Sequence, residues 1–265
     1  MERIKNALGL YMHYVSINIS SAMEYKTSLL LTIVGQMLIS FSTFFGIHFM
    51  FMRFKHVKGY TYEEVLVCFA IVLLQFSLAE MFARGFDMFA GIVRRGEFDR
   101  VLLRPRSLIL QVLGTKFEIT RIGRMLQAVM IFIYAMANGA ICWTPGRVAA
   151  TVMMLIGGAL LFAALFMIYA AVCFVTLEGL EFMNVFTDGG REYGKYPIDV
   201  YGKRLLQFST YIVPYALVQT YPLQYLLGRN DNPLYALCPL GAVLFLLAAY
   251  MIWRVGVKRY TSTGS

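Results

Sequence analysis

The stretch Gly189-Gly-Arg-Glu-Tyr-Gly194-Lys195 has the GxxxxGK spacing of a phosphate-binding loop. Such a loop follows an apolar strand and needs a Ser or Thr hydroxyl after its lysine to hold Mg²⁺. Here the next residue is Tyr196 and no apolar strand precedes, so nucleotide binding by this chain is rejected and a flexible Gly-containing loop is expected. His13, His48 and His56 are scattered and lack a matching Cys or carboxylate cluster, so no metal site is expected. Cys68, Cys142, Cys173 and Cys238 stand singly in or beside apolar stretches, as small hydrophobes do. A hydrolase working at membrane depth would need a nucleophile with a base, or paired carboxylates. Glu63 and Glu64 open one apolar stretch and Glu80 closes it, where carboxylates are expected to face the interfaces. No catalytic residue is assigned.

The elements that must position these groups are membrane helices. Of 265 residues, 59% are hydrophobic and only 15% charged, against about 25% charged in soluble chains. Six apolar stretches have no Asp, Glu, Lys or Arg in their middles: Thr27 to Met52, Val65 to Ala79, Met125 to Trp143, Val148 to Leu177, Leu205 to Leu227 and Leu234 to Trp253. Most approach or exceed the roughly 20 residues that cross the hydrocarbon layer as a helix. The expected fold is all-α, with six spans that satisfy their backbone hydrogen bonds internally. No ionisable group is expected near the bilayer centre, which argues against an ion-coupled carrier, although carriers also coordinate ions with backbone carbonyls. The net charge of +9 borders the spans, the pattern of membrane topology rather than of nucleic-acid binding. No cleavable signal peptide is evident, since residues 1–26 alternate polar and apolar.

Placing both termini in the cytoplasm leaves only Arg53, Lys55, Lys58, Arg147 and Arg229, of 24 basic residues, for the outer loops. Three regions follow: 1–26, the spans 27–257 with a long loop at 81–124, and a cytoplasmic tail at 258–265. In the first, Ile4, Leu8, Tyr11, Met12, Val15, Ile19 and Ala22 recur at helical spacing. That stripe fits an amphipathic helix on the inner membrane surface, or a helix packed on protein. In the long loop, Gly96 interrupts, Glu97 and Asp99 suit the positive end of a new helix, and Arg104-Pro105 supplies a stop. Such a helix is suited to fit a partner's groove; an ordinary positive-inside loop is the alternative.

In the fifth stretch, Pro214 and Pro222 each remove a backbone donor, among Phe208, Tyr211, Tyr215, Tyr221 and Tyr225. The readings are a helix broken towards the outer leaflet, or a kinked span with an interfacial tyrosine belt. Glu178 to Lys203 is expected as a cytoplasmic interval, with Tyr196-Pro197 marking re-entry. Ala135-xxx-Gly139, Gly157-Gly158 and Ala159-xxx-Ala163 allow close helix approach, expected mainly within the bundle.

Gly96-Glu-Phe-Asp-Arg-Val-Leu-Leu-Arg-Pro105 resembles the segment between the second and third spans of type-2 ABC exporter permeases. The order of the remaining features resembles that family along nearly the whole chain, down to the IVPYALVQTYPLQYLLG run from Ile212 to Gly228. The resemblance implies a multi-pass permease of a prokaryotic plasma membrane, paired with a second permease as homodimer or related heterodimer and moved by separate ATPase subunits that carry ATP and Mg²⁺. It implies that a coupling helix docks on the ATPase through Gly96, Glu97, Phe98, Asp99, Arg100, Leu102, Leu103, Arg104 and Pro105, with Phe98, Leu102 and Leu103 filling a groove. It implies an outer gate and pathway around Tyr211, Pro214, Tyr215, Tyr221, Pro222 and Tyr225. The uncharged, Met-rich and aromatic interiors suit a lipophilic or amphiphilic cargo, although lipid-facing positions need the same residues.

Overall fold

The computed structural model describes residues 2–139, 141–176 and 181–261. The expected end of the fourth span at Leu177, the residues Glu178 and Leu180, and the tail beyond 261 lie outside them. Among the described residues the chain is helical, with one isolated bridge between Val57 and Tyr60.

In chain order the helices are α1 (Glu2–Glu24), α2 (Lys26–Arg53), α3 (Tyr62–Asp87), α4 (Phe89–Arg94), α5 (Glu97–Leu102), α6 (Leu108–Thr115), α7 (Ile122–Ala137) and α8 (Pro145–Thr176). There follow α9 (Asn184–Tyr193), α10 (Lys203–Tyr211), α11 (Tyr215–Val218), α12 (Thr220–Leu226), α13 (Pro233–Leu237) and α14 (Gly241–Arg259). Among the described residues, five units are long and apolar enough to cross a membrane: Lys26–Arg53, Tyr62–Arg94, Ile119–Ala137, Pro145–Thr176 and Pro233–Arg259. The fifth expected stretch, Leu205 to Leu227, is instead broken into α10, α11 and α12. Pro214 separates the first two, and Gln219, with φ −125° and ψ −70°, separates the last two.

Helix α3 is the axis of the bundle. Thr61 and Glu64 cap its start reciprocally, and Glu63 and Glu64 add negative charge where the helix dipole favours it. It packs on α7 and α8, and α8 packs in turn on α14. Between membrane helices tight packing replaces the hydrophobic drive, so small residues mark the closest approaches. A Cβ on Gly158 of α8 would fall 2.1 Å from Gln75 Cδ of α3, and one on Gly157 2.8 Å from Pro239. This glycine pair therefore serves packing within the chain.

Three expectations are corrected here. The second span does not end near Ala79: α3 continues to Asp87, and Glu80 is buried within it instead of facing an interface. Glu80 reaches Arg84 at 3.2 Å, Arg121 at 3.1 Å and Arg124, so three guanidinium groups supply the stabilisation that water would otherwise give.

The interval before Lys203 is not a loop confined to the end of the bundle that carries α4 and α5. Its helix α9 runs beside α3, and the chain beyond it reaches the opposite end, where Tyr60 donates to Asp199 Oδ2 at 2.8 Å. Gly189 to Tyr193 of the GxxxxGK segment are helical rather than a flexible loop. The polar face of this helix hid it from a hydropathy reading, because its partners are protein groups: buried Gly190 lies against Tyr215, and the Arg191 guanidinium sits 4.9 Å from the Phe76 ring.

Candidate functional site

Three features could serve transport, and they sit at different heights in the bundle. The first is the end formed by α4, α5 and α6. Gly96 adopts φ +66° between α4 and α5, a left-handed turn that glycine makes without strain. Arg95 and Glu97 pair at 2.7 Å across that turn, and the Arg95 guanidinium holds the Glu97 carboxyl below the usual carboxylate range. Helix α5 ends at Leu102, ahead of Arg104-Pro105.

Phe98 does not point outward. It is fully buried, with ring centres 5.2 Å from Phe89, 5.1 Å from Phe174 and 5.0 Å from Tyr260. This corrects its expected place in a partner's groove: Phe98 clamps α5 to the bundle, and the exposed apolar residues are Leu102 and Leu103, the latter 84% exposed. Beside them a cleft of about 640 Å³ is lined by Arg94, Arg95, Arg100, Arg104 and Lys116 against the acids Asp87 and Glu97.

The second feature is the broken segment α10 to α12. A broken helix inside a membrane bundle must have its freed carbonyls covered by protein. Gln219, at the second break, covers carbonyls of the chain after α9, its Nε2 donating to Gly194 at 2.5 Å and Tyr196 at 3.0 Å. Thr220 Oγ1 accepts from the Ile198 amide at 3.1 Å. Gln75 Nε2 donates to the Met154 and Val218 carbonyls at 2.9 Å and 3.3 Å. These residues were not singled out from sequence, although buried Gln and Thr among Pro and Gly signal a broken helix that supplies its own donors.

The tyrosines and prolines of this stretch do not converge. Tyr221 meets Thr210 at 3.1 Å and stacks edge-on against Tyr235. Tyr215 is buried, donates to the Phe186 carbonyl and contacts Tyr193 and Phe162. Tyr225 lies near Gly146 in α8, Pro214 and Pro222 are buried, and Tyr211 is 83% exposed.

The third feature is a cleft between α2 and α9, lined by Ser40, Thr43, Arg124, Arg191, Glu192 and Lys195 over an apolar floor that includes Phe69 and Val72. Lys195 Nζ lies 3.4 Å from Thr43 Oγ1 and also pairs with Glu192. Arg191 reaches Glu192 at 3.0 Å and Asp188 at 3.5 Å.

A family model described as ABC-2 family transporter protein matches residues 37–264. The chain belongs to the ABC-2 transporter family. No curated protein and no solved structure matches it. This type-2 ABC permease is thus a multi-pass membrane component of a transport system. The match takes in the α4 to α6 end, the broken helices and every residue lining the α2 to α9 cleft.

Proposed function

We propose that this ABC-2 permease forms the pathway of an exporter driven by separate ATPase subunits, which bring the ATP and Mg²⁺, and that it works with a second permease, identical or related. In this reading α9 and the chain to Asp199 complete a sixth, discontinuous crossing, α10 to α12 turn back into the bundle and return to the Tyr60 end, and both termini, with the α4 to α6 end, face the cytoplasm of a prokaryotic cell. The N-terminal helix lies on the inner membrane surface. It anchors through Tyr11, which donates to the Phe82 carbonyl at 3.1 Å, and Asn18, which donates to Gly114 at 3.2 Å, while Leu8 and Met12 stay exposed towards lipid.

The observation that carries the coupling role is the pairing of exposed Leu102 and Leu103 with the basic cleft beside α5, all held in place by buried Phe98. An apolar knob beside charged groups on a rigid short helix is what a partner's groove needs for both affinity and register. ATP binding would draw two such helices together and swing the permease halves between access states. The test is to purify the chain with its endogenous partners and look for a co-purifying ATPase and ATP-dependent transport. Asp99→Ala combined with Leu103→Ala should weaken both; unchanged ATPase association and transport in that variant would sink the docking role.

An ion-coupled carrier is a second reading, favoured by the Glu192–Lys195 pair beside the middle of α2. It predicts transport that collapses with the ion gradient and persists without ATP.

A further inference from the structure

We infer that the cleft between α2 and α9 binds the negatively charged headgroup of an amphiphile at mid-membrane depth. This inference names a substrate class for the pathway and so rests on the permease reading.

Two helices fix the depth independently. Thr43, which meets Lys195, stands about 5 Å from the midpoint of α2 at 1.5 Å rise per residue. Phe76, over which Arg191 lies, is within about 3 Å of the midpoint of α3 by the same measure. Arg191 and Lys195 therefore stand near the bilayer centre, where a cation is costly and retained for a purpose.

The charge balance at the cleft is positive. Arg124, Arg191 and Lys195 face a single lining carboxylate, Glu192. Arg124 is engaged by Glu80, but Glu80 already serves Arg84 and Arg121. Glu192 is shared between Arg191 and Lys195, and its side chain is half exposed. Arg191 also meets Asp188 and Arg84 also meets Asp87, so five cations, Arg84, Arg121, Arg124, Arg191 and Lys195, share four carboxylates, Glu80, Asp87, Asp188 and Glu192, and an anion entering here would complete the compensation. The hydroxyl of Thr43 and that of buried Ser40 add polar partners on the opposite wall.

Size and shape decide what kind of anion. The partly open cleft holds a cavity volume of about 50 Å³, a scale that suits a carboxylate or phosphate group rather than a whole amphiphile. One lip is Ile39, 67% exposed on an apolar face of α2 that also shows Leu31 and Leu38. A hydrocarbon tail leaving the cleft would run along that face.

The test uses the full chain in nanodiscs of neutral phosphatidylcholine, with radiolabelled dodecanoate and dodecyl phosphate as probes. Dodecyltrimethylammonium, dodecyl maltoside and inorganic phosphate are the comparisons. Both anionic amphiphiles should bind saturably, and more tightly than all three comparisons. Arg191→Gln and Lys195→Gln should each weaken them about ten-fold, Lys195→Arg should retain binding, and Glu192→Gln should tighten it several-fold. The last variant guards against misfolding as the explanation, since a damaged fold does not gain affinity. Equal binding of the cationic amphiphile, or unchanged affinity in the Arg191→Gln and Lys195→Gln variants, overturns the headgroup site. Inorganic phosphate binding as tightly as dodecyl phosphate overturns the amphiphile. ATPase co-purification from the same membranes is scored separately, so a co-purifying ATPase with no preference among probes would remove this inference and leave the permease reading standing.

Discussion

Tyr60 and Asp199, 139 residues apart, are joined by a 2.8 Å hydrogen bond that ties the turn between α2 and α3 to the chain after α9. Burial and the neighbouring Asp199 push the Tyr60 phenol up, so it stays a donor. Arg229 stacks 3.9 Å over the Tyr60 ring and pairs with Glu64 at 2.5 Å, closing the same end of the bundle.

This bond predicts a labelling pattern. Leu103→Cys and Asp199→Cys should react with a membrane-impermeant thiol reagent from opposite sides in sealed vesicles, in a background lacking exposed Cys142. Labelling of both from one side would return Asp199 to the cytoplasmic loop. Tyr60→Phe should keep the topology and lower stability by about 1.5–3 kcal/mol, the worth of a hydrogen bond to a charged group, read as a fall in Tm in detergent.

Removing Glu80 should be severe. Glu80→Ala would leave buried Arg124 and largely covered Arg121 beside Arg84 without their shared carboxylate, a loss of about 3–5 kcal/mol. Folded yield and Tm would report it. Replacing Arg124 by Met in the same chain should recover part of the loss, because one uncompensated cation is then gone.

Gly158→Ala should drive its new methyl into Gln75, whose amide is held by Met154 and Val218. Overpacking of this kind costs about 1–3 kcal/mol. Combining it with Gln75→Ala should cost less than the two separate losses added together, which a double-mutant cycle of Tm values measures.

Phe98→Ala and Leu103→Asp separate support from docking. Phe98→Ala should cost about 3–5 kcal/mol, as for a buried phenylalanine. Leu103→Asp, at an 84% exposed position, should leave Tm unchanged and reduce recovery of the ATPase on the permease. An equal fall in Tm for both would place Leu103 in the core of the fold.

What the amino-acid sequence determines by itself is what is written locally. Apolar runs without charge specify the four long spans before residue 177 and the last helix, because in lipid a helix is the cheapest way to satisfy a backbone. Gly96 and Arg104-Pro105 likewise bracket α5 through backbone conformations that few other residues favour. Only the tertiary structure decides where polar residues go. Arg191 and Lys195, beside the acids Asp188 and Glu192, read as a solvated loop because the groups that cover them come from far along the chain: Phe76 lies 115 residues before Arg191, and Thr43 lies 152 before Lys195. Glu80 reads as an interfacial carboxylate until α7 brings Arg121 and Arg124 to it, and Phe98 reads as a surface anchor until Phe89, Phe174 and Tyr260 close around it. Hydropathy records the cost of burying a group, and the group that offsets this cost is supplied by the fold.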